Sequence, residues 1–216
     1  MRITLVALGT RGDVQPVLAL GQGLQAAGDS IHIIAGRNFD SWVRAFGFGF
    51  TGAVDMETLM SSEKGVAWAE RSDSPRKQLQ HMKELLAEYR DEVIGPLVEG
   101  SRDANLLISG FVSNPFVQAV SEKFGIPHIS AQLQPYLPTR SGAASLAPII
   151  KWGDSLLNLW MGYFAERLMW TVHADTTNHL RAAPLLPPAP CAASPPSSAL
   201  AAMSSLPRRI GVSISM

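Results

Sequence analysis

The sequence predicts an α/β fold with a Rossmann-like parallel β-sheet flanked by helices. Residues 3–8 form a continuous apolar, β-rich run, which is typical of a central parallel strand covered on both faces. Apolar residues then recur at helical spacing over 14–24, and a second apolar strand follows over 30–35. Strand, helix and parallel strand in this order make a βαβ unit with a right-handed crossover. The alternation continues over residues 106–131, so the sheet extends beyond this unit.

Each further element is predicted from its own local signal. In the first helix, Pro16 is placed in the first turn and Gly28 at the carboxyl-terminal cap. Over 75–94 apolar residues recur at steps of three and four, which indicates an amphipathic helix. Residues 52–74 lack clear periodicity and predict a loop or a mobile helical flap. The other predicted elements are helices over 39–46, 115–124 (ended by Gly125) and 146–180, and strands over 48–51, 106–109 and 128–131.

The chain is predicted to be one domain followed by a tail. Its 216 residues suffice for one α/β domain with a sizeable core but are short for two. Residues 184–216 are rich in Pro, Ala and Ser and cannot bury enough apolar area to offset their ordering entropy. We therefore expect a folded domain over 1–181 and a disordered tail over 184–216.

Composition narrows the classes of function. Eighteen basic residues balance eighteen acidic ones, so the charge does not indicate a nucleic-acid partner. The single cysteine, Cys191, cannot form an internal disulfide, which favours a cytoplasmic location. The five histidines show no metal-ligand spacing, and neither a metal nor a cofactor is predicted. No apolar stretch reaches the roughly 20 residues that a membrane-spanning helix needs.

A glycine-containing loop, residues 9–13, joins the first strand to the first helix. Gly9 and Gly12 permit positive φ angles and a close backbone approach, which leave space for a ligand. Without its flanking sequence, an ordinary strand-to-helix turn is the commoner explanation of such a loop. Gly21 and Gly23 lack dinucleotide-binding spacing, so a nucleotide-cofactor oxidoreductase is not indicated.

Four segments carry a resemblance to one family. They are GTRGDVQPVLALGQGLQAAG at 9–28, GFGF at 47–50, ISGFVSNPFVQAVSEKFGIPHI at 108–129 and QPYLPT at 134–139. Together they resemble the N-terminal domain of the sterol and lipid glycosyltransferase group within the GT-B fold, over about residues 1–181. The resemblance implies the acceptor-binding half of an inverting hexosyltransferase. Such an enzyme moves a sugar from a nucleotide donor to a sterol, a lipid or another hydrophobic alcohol.

The base position of that family corresponds to Asp13 in this sequence. An alcohol hydroxyl is a poor nucleophile at neutral pH, so a base must accept its proton as the new bond forms. A carboxylate at the carboxyl end of the first strand points into the crevice where open α/β sheets bind ligands. Asp13 also suits the cap of the following helix, and the sequence leaves base plus cap and cap alone both open.

The acceptor site is expected to combine this loop with residues that follow the fourth and fifth strands, because both lie at the edge that carries Asp13. Arg11 is a candidate to bind a donor phosphate or an acceptor oxygen, although a loop arginine is more often solvated. Asn114 directly precedes Pro115 and is equally well explained as a helix N-cap. The predicted acceptor-binding residues are Gly9, Thr10, Arg11, Gly12, Ser113, Asn114, Gln134 and Tyr136.

The segment 152–170 is rich in aromatic residues, with three tryptophans. Two interpretations stay open. The segment forms an apolar wall for a sterol-like or acyl acceptor, or it is a helix of the core, which is the commoner outcome for such a pattern.

The sequence departs from the family after residue 181. The family's donor-site motifs, a glycine-rich segment with a histidine and an acidic residue next to glutamine, do not occur there. We therefore expect the donor domain to be absent, the chain alone to be inactive, and a nucleotide sugar to bind only when a donor domain or partner subunit is supplied. The alternative is a non-catalytic module that binds a lipid or a partner. A hydrophobic acceptor and, peripherally, a membrane are the other expected partners.

Overall fold

A computed structural model describes residues 1–63, 65–66, 75–134, 137–142, 149–150 and 152–182. Within them, the chain forms a five-stranded sheet in the order β3-β2-β1-β4-β5, and every pairing is parallel. The predicted α/β class is confirmed. The strands are β1 (Arg2–Ala7), β2 (Ser30–Gly36), β3 (Gly49–Ala53), β4 (Leu106–Ser109) and β5 (His128–Ser130).

Helices cover both faces of the sheet. They are α1 (Arg11–Ala26), α2 (Asp40–Arg44), α3 (Met56–Ser61), α4 (Pro75–Glu88), α5 (Arg90–Ser101), α6 (Asn114–Phe124) and α7 (Leu156–Ala182), and a 3-10 turn covers Arg37–Phe39. Two apolar layers hold them to the sheet. Ile3 and Leu5 of β1 belong to the layer under α1, whereas Val6 belongs to the layer under α5 and α6. Strand β1 is thus buried on both faces, as its continuous apolar run predicts.

Glycines end two helices as predicted. Gly28 follows α1 with φ of 96°, and Gly125 follows α6 with φ of 65°, a left-handed conformation that suits glycine. The position of Pro16 was predicted wrongly, because α1 begins at Arg11 and Pro16 falls in its second turn. A hydrogen-bonded cap between Thr10 and Asp13 starts the helix before the proline.

Two predicted helices differ from the structure. The helix predicted over 75–94 is two helices, with Tyr89 between them at φ −94° and ψ 14°. Their partners differ, because α4 packs on α7 while α5 packs on β2 and β3. The helix predicted from residue 146 begins only at Leu156, after Gly153 adopts φ of 87°. The periodic apolar pattern over 75–94 runs through the first break, because it indicates which residues are buried but not the direction of the chain.

The predicted flap and tail are covered only in part. Residues 56–61 form the short helix α3, whose N-cap Asp55 accepts a hydrogen bond from the Thr58 backbone N–H at 2.6 Å. The segment 67–74 and the tail 184–216 lie outside the described residues. The disordered tail therefore stays a prediction.

Candidate active site

A small crevice lies where the strand order reverses, between the carboxyl ends of β1 and β4. Ligands of open α/β sheets bind at such a switch point. The crevice encloses about 110 Å³ and includes three residues predicted for the site, Asp13, Ser113 and Gln134. Its remaining walls are mostly apolar and come from β1, α1, the loop after β4 and the segment after β5: Ala7, Leu8, Pro16, Val17, Leu20, Gly110, Phe111, Val112, Ala131 and Leu133.

Asp13 occupies the third position of α1 and is half-buried. Its Oδ2 atom accepts hydrogen bonds from the Thr10 backbone N–H at 2.8 Å and from the Thr10 hydroxyl at 3.2 Å. The other oxygen, Oδ1, has no hydrogen-bond donor within the described part of the chain. One oxygen therefore anchors the carboxylate in a helix cap, and the second remains available to a ligand.

Gly9 makes this arrangement sterically possible. A Cβ atom at residue 9 would lie 2.2 Å from Asp13 Oδ2, far inside van der Waals contact. The backbone at Gly9 approaches the Asp13 carboxylate closely, and space for a ligand at this glycine stays a prediction. Neither loop glycine uses the positive φ that its lack of a side chain permits. At Gly12 an added Cβ would meet only Thr10 Oγ1, at 3.6 Å, so that glycine is not required sterically.

Arg11 points away from the crevice. Its guanidinium lies 5.3 Å from the centre of the Trp42 ring, in the geometry of a cation–π contact, and the residue is exposed. Trp42 belongs to α2, so this contact holds Arg11 on the β2 side of α1. The structure does not bring Arg11 together with Ser113 and Gln134.

Ser113 and Gln134 reach the crevice in different ways. Ser113 is 1% exposed, and its hydroxyl donates to the carbonyl oxygen of Val6 at 3.1 Å, which ties the loop after β4 to β1. This hydrogen is already used, so Ser113 offers a ligand only its oxygen lone pairs. Gln134 is exposed at the rim of the crevice. Tyr136 lies outside the described residues.

Asn114 does not line the crevice. The N-cap of α6 is Ser113, so the alternative assignment of Asn114 as the cap is wrong. The Asn114 Oδ1 atom accepts a hydrogen bond from the buried Ser109 hydroxyl at 3.2 Å. Because Ser109 ends β4, this bond turns the Asn114 side chain toward the face of the sheet that carries α7.

Sequence reasoning missed the apolar side of the crevice. Phe111 lies two residues before Ser113, and Leu133 lies directly before Gln134; both polar residues were selected. Val17 was assigned only to the apolar face of the first helix, and Leu20 was not assigned a role. Their position next to the loops that end β1, β4 and β5 was the signal that they line a site. The walls make the crevice suitable for an apolar molecule with one polar end.

A half-buried histidine, His128, extends the polar contacts behind the site. His128 Nε2 lies 2.7 Å from Ser109 Oγ. The Ser109 hydroxyl donates to Asn114, so the tautomer with hydrogen on Nε2 satisfies both contacts. Burial lowers the pKa of His128 to about 4, and the ring is therefore neutral at pH 7.

We expect this histidine to make the fold less stable in mild acid. The unfolded chain, with a histidine pKa near 6.5, binds the proton more strongly than the folded chain, so stability is complete above that pH and falls as the pH approaches 4. Between pH 7 and pH 4.5 the loss from His128 is roughly 2 kcal/mol. Urea unfolding at both pH values measures it. His128→Gln should reduce the pH dependence without removing it, because burial also lowers the pKa of His32 and His173.

The described residues form neither a metal site nor a membrane-spanning helix. No group of three or more His, Cys, Asp or Glu side chains in the described ranges is placed to hold a metal ion. In the same ranges, no helix is long and apolar enough to cross a membrane.

The parallel sheet and the carboxylate at its switch point place the chain among the open α/β proteins that bind ligands at this crevice. Comparison with known families then identifies its family. Residues 3–141 match the glycosyltransferase family 28 N-terminal domain, and the chain belongs to this family. The resemblance to glycosyltransferases and the glycosyltransferase class are thus confirmed. In the solved calicheamicin glycosyltransferase CalG4, which is 14% identical, a similar fold covers 82% of this chain and 43% of that one, with a TM-score of 0.52.

Curated relatives are sterol glucosyltransferases. A sterol 3-beta-glucosyltransferase of Candida albicans is 28% identical over 181 residues, which cover 83% of this chain and 12% of the relative. One of Arabidopsis thaliana is 26% identical over 181 residues, which cover 80% of this chain and 28% of the relative. The chain thus spans about an eighth of the fungal protein and about a quarter of the plant protein.

Proposed function

We propose that this chain is the acceptor-binding half of an inverting hexosyltransferase that uses a nucleotide-sugar donor and a sterol, lipid or other hydrophobic alcohol as acceptor. The observation that carries the proposal is the Asp13 carboxylate, which is anchored through one oxygen at the switch-point crevice and open at the other. Family membership and the names of the sterol glucosyltransferases support it.

Asp13 acts as the general base in this proposal. The acceptor O–H donates to Asp13 Oδ1 and loses its proton to it as the acceptor oxygen bonds to the anomeric carbon of the donor sugar. The bond between that carbon and the phosphate oxygen breaks, and the nucleotide diphosphate leaves with the electron pair. A single displacement of this kind inverts the anomeric carbon. Thr10 keeps the carboxylate in place through Oδ2 during the transfer.

The size and walls of the crevice favour a hydrophobic alcohol. At about 110 Å³ it is smaller than the roughly 300–1,000 Å³ of ordinary ligand sites, so it takes only the hydroxyl-bearing end of an acceptor. Leu8, Val17 and Phe111 provide apolar contacts for that end. Gln134 at the rim offers an amide to the reacting hydroxyl.

The proposal includes a membrane as the source of the acceptor. Leu156, Leu157 and Phe164 on the first turns of α7 are more than half exposed. Apolar and aromatic side chains on one surface helix are typical of helices that lie at a membrane interface. The same exposure shows that these side chains are not in the core, so the core interpretation of this segment is wrong for them.

A sterol-binding experiment with the complete 216-residue chain tests the acceptor role. We expect saturable binding of the fluorescent sterol dehydroergosterol, presented in neutral phosphatidylcholine vesicles with which the chain co-sediments. Leu133→Arg puts a charged side chain on the wall of the crevice and should weaken binding at least about tenfold, because a sterol bound against residue 133 would take the guanidinium out of water. Leu137→Arg is the matched control: Leu133 is 57% exposed and Leu137 58%, but only Leu133 lines the crevice.

Transfer is tested after fusion to the C-terminal half of the Arabidopsis relative, because this chain spans 28% of that protein. The fusion should form a sterol glucoside from a nucleotide glucose, with inversion visible by NMR of the product. Sterol binding without transfer would support a non-catalytic module instead. Absence of sterol binding, or equal binding by the two leucine variants, would refute the acceptor role of the crevice.

A further inference from the structure

A second pocket lies between α6 and α7, beside the crevice but with different walls. Its volume is about 440 Å³, within the roughly 300–1,000 Å³ that is ordinary for a small-molecule site. Ser113 borders the crevice and the next residue, Asn114, borders this pocket, so the start of α6 separates the two. We call it the α6–α7 pocket.

Three uncharged polar groups face the α6–α7 pocket with part of their hydrogen-bonding capacity unused. Asn114 accepts from Ser109 through Oδ1, which leaves its NH₂ group to donate. Gln118 donates from Nε2 to Glu122 at 3.2 Å, which leaves its carbonyl oxygen to accept. His173 Nδ1 donates to the Met169 carbonyl at 2.9 Å, and burial lowers its pKa, so the neutral ring keeps an acceptor at Nε2.

Two opposite charges complete the polar lining. Glu166 and Arg167 are neighbours on α7, and neither forms a hydrogen bond or an ion pair within the described part of the chain. Their charges cancel, so the pocket as a whole favours neither an anion nor a cation. A carboxylate and a guanidinium are both planar groups that bind two adjacent partners at once.

An apolar surface lies beside these groups. Tyr163 and Trp170 are 54% and 41% exposed, and Met169 and Pro115 line the same pocket. Aromatic rings of this kind offer a flat face to an apolar surface and a polar edge to a hydrogen-bond partner. The pocket therefore presents flat apolar contacts together with donors and acceptors of both kinds.

We propose that the α6–α7 pocket binds a neutral carbohydrate through a pyranose ring. Each sugar hydroxyl both donates and accepts, which matches the mixture of free donors and acceptors, and adjacent hydroxyls match the planar side chains of Glu166 and Arg167. The C–H face of the ring packs on Trp170 or Tyr163. An all-apolar ligand would bury these polar groups without partners, at a cost of about 1–3 kcal/mol each. The inference does not depend on the activity proposed for Asp13.

Titrations of the complete chain test the proposal. Methyl β-D-glucopyranoside represents a free sugar, and octyl β-D-glucopyranoside below its micelle concentration represents a glycolipid headgroup. Saturation-transfer NMR should show binding of both, with a Kd on the order of 1–10 mM for the methyl glycoside. Tighter binding of the octyl compound would identify a glycolipid headgroup as the source, and equal binding a free sugar.

Three variants locate the binding. Trp170→Ala and Arg167→Gln should each raise the Kd at least about tenfold, since each removes a contact worth about 1.4 kcal/mol or more. Trp160→Ala is the control, because this tryptophan is exposed on the same helix but does not line the pocket. Circular dichroism verifies that each variant is folded.

Three outcomes would overturn the inference. They are absence of saturation with either glycoside up to about ten times the expected Kd, unchanged binding in the Trp170 and Arg167 variants, and displacement of the glycoside by inorganic phosphate, which would indicate an anion site at Arg167. Loss of sterol binding in Leu133→Arg with glycoside binding retained would separate this pocket from the crevice.

Discussion

Asp13→Asn is expected to lower kcat/KM of the fused transferase by about 10²–10⁴-fold, the usual contribution of a general base. Asparagine has nearly the shape of aspartate, and its carbonyl oxygen still accepts the hydrogen bond that the Thr10 backbone N–H donates to Asp13 at 2.8 Å. The helix cap is therefore kept while the base is removed. Initial rates with a nucleotide glucose and a sterol measure the effect, and dehydroergosterol binding should change less than about twofold, because the apolar walls remain.

Asp55→Asn is the control for this substitution. Both carboxylates cap a helix by accepting from a backbone N–H, Asp55 from Thr58 three residues on, at 2.6 Å, and Asp13 from Thr10 three residues back. Asp55 does not line the crevice. Its replacement should leave the transfer rate unchanged. Equal losses in the two variants would show that Asp13 acts only as a cap. If the Asp13→Asn enzyme kept the parental transfer rate, Asp13 would not be the general base.

Gly9→Ala is expected to damage the same site through its shape. The new Cβ would lie 2.2 Å from Asp13 Oδ2, so the carboxylate or the loop must move. Misplacing a catalytic group by about 1 Å costs on the order of 10²-fold in rate. Overpacking adds about 1–3 kcal/mol of lost stability. Transfer kinetics and urea unfolding measure the two effects.

Gly23→Ala provides the comparison on the same helix. Gly23 lies within α1, is exposed, and has no atom within 4 Å of an added Cβ. Because alanine favours a helix interior over glycine, this change should stabilise the fold by about 0.5–1 kcal/mol without affecting transfer. A Gly9→Ala enzyme that behaves like Gly23→Ala would mean that the loop accommodates a side chain next to Asp13.

Local patterns predicted much of the fold. The apolar run of β1, the amphipathic first helix and the αL glycine after α6 are short-range features, and all three were found, although the helix begins earlier than the position of Pro16 predicted. Packing partners were not predictable in this way. The break at Tyr89 separates two helices that rest on different elements, and one uninterrupted apolar periodicity spans both.

The candidate site also has features that the sequence predicted and features that it did not. Asp13 and Gly9 were selected from the loop at residues 9–13 together with the family resemblance of its flanking sequence, and both lie in the loop and first turn that the strand and the capped helix define. The directions of the Arg11 and Asn114 side chains were not predicted. Arg11 points toward Trp42, which is far along the chain, and Asn114 is held by Ser109 at the end of another strand. The consecutive residues Ser113 and Asn114 line two different pockets, and no local sequence pattern distinguishes them.

The sequence by itself determined the fold class and the family, because strand and helix patterns and family motifs are both carried by short runs of neighbouring residues. The assignment of Asp13 as the base follows from the family resemblance and stays a prediction. Only the tertiary structure decided which side chains share a cavity. It placed Leu133 and Phe111 against Asp13, turned Asn114 toward α7, and opened the α6–α7 pocket. Side-chain direction depends on contacts between residues that are distant in the chain, and those contacts exist only after the sheet and its helices have packed.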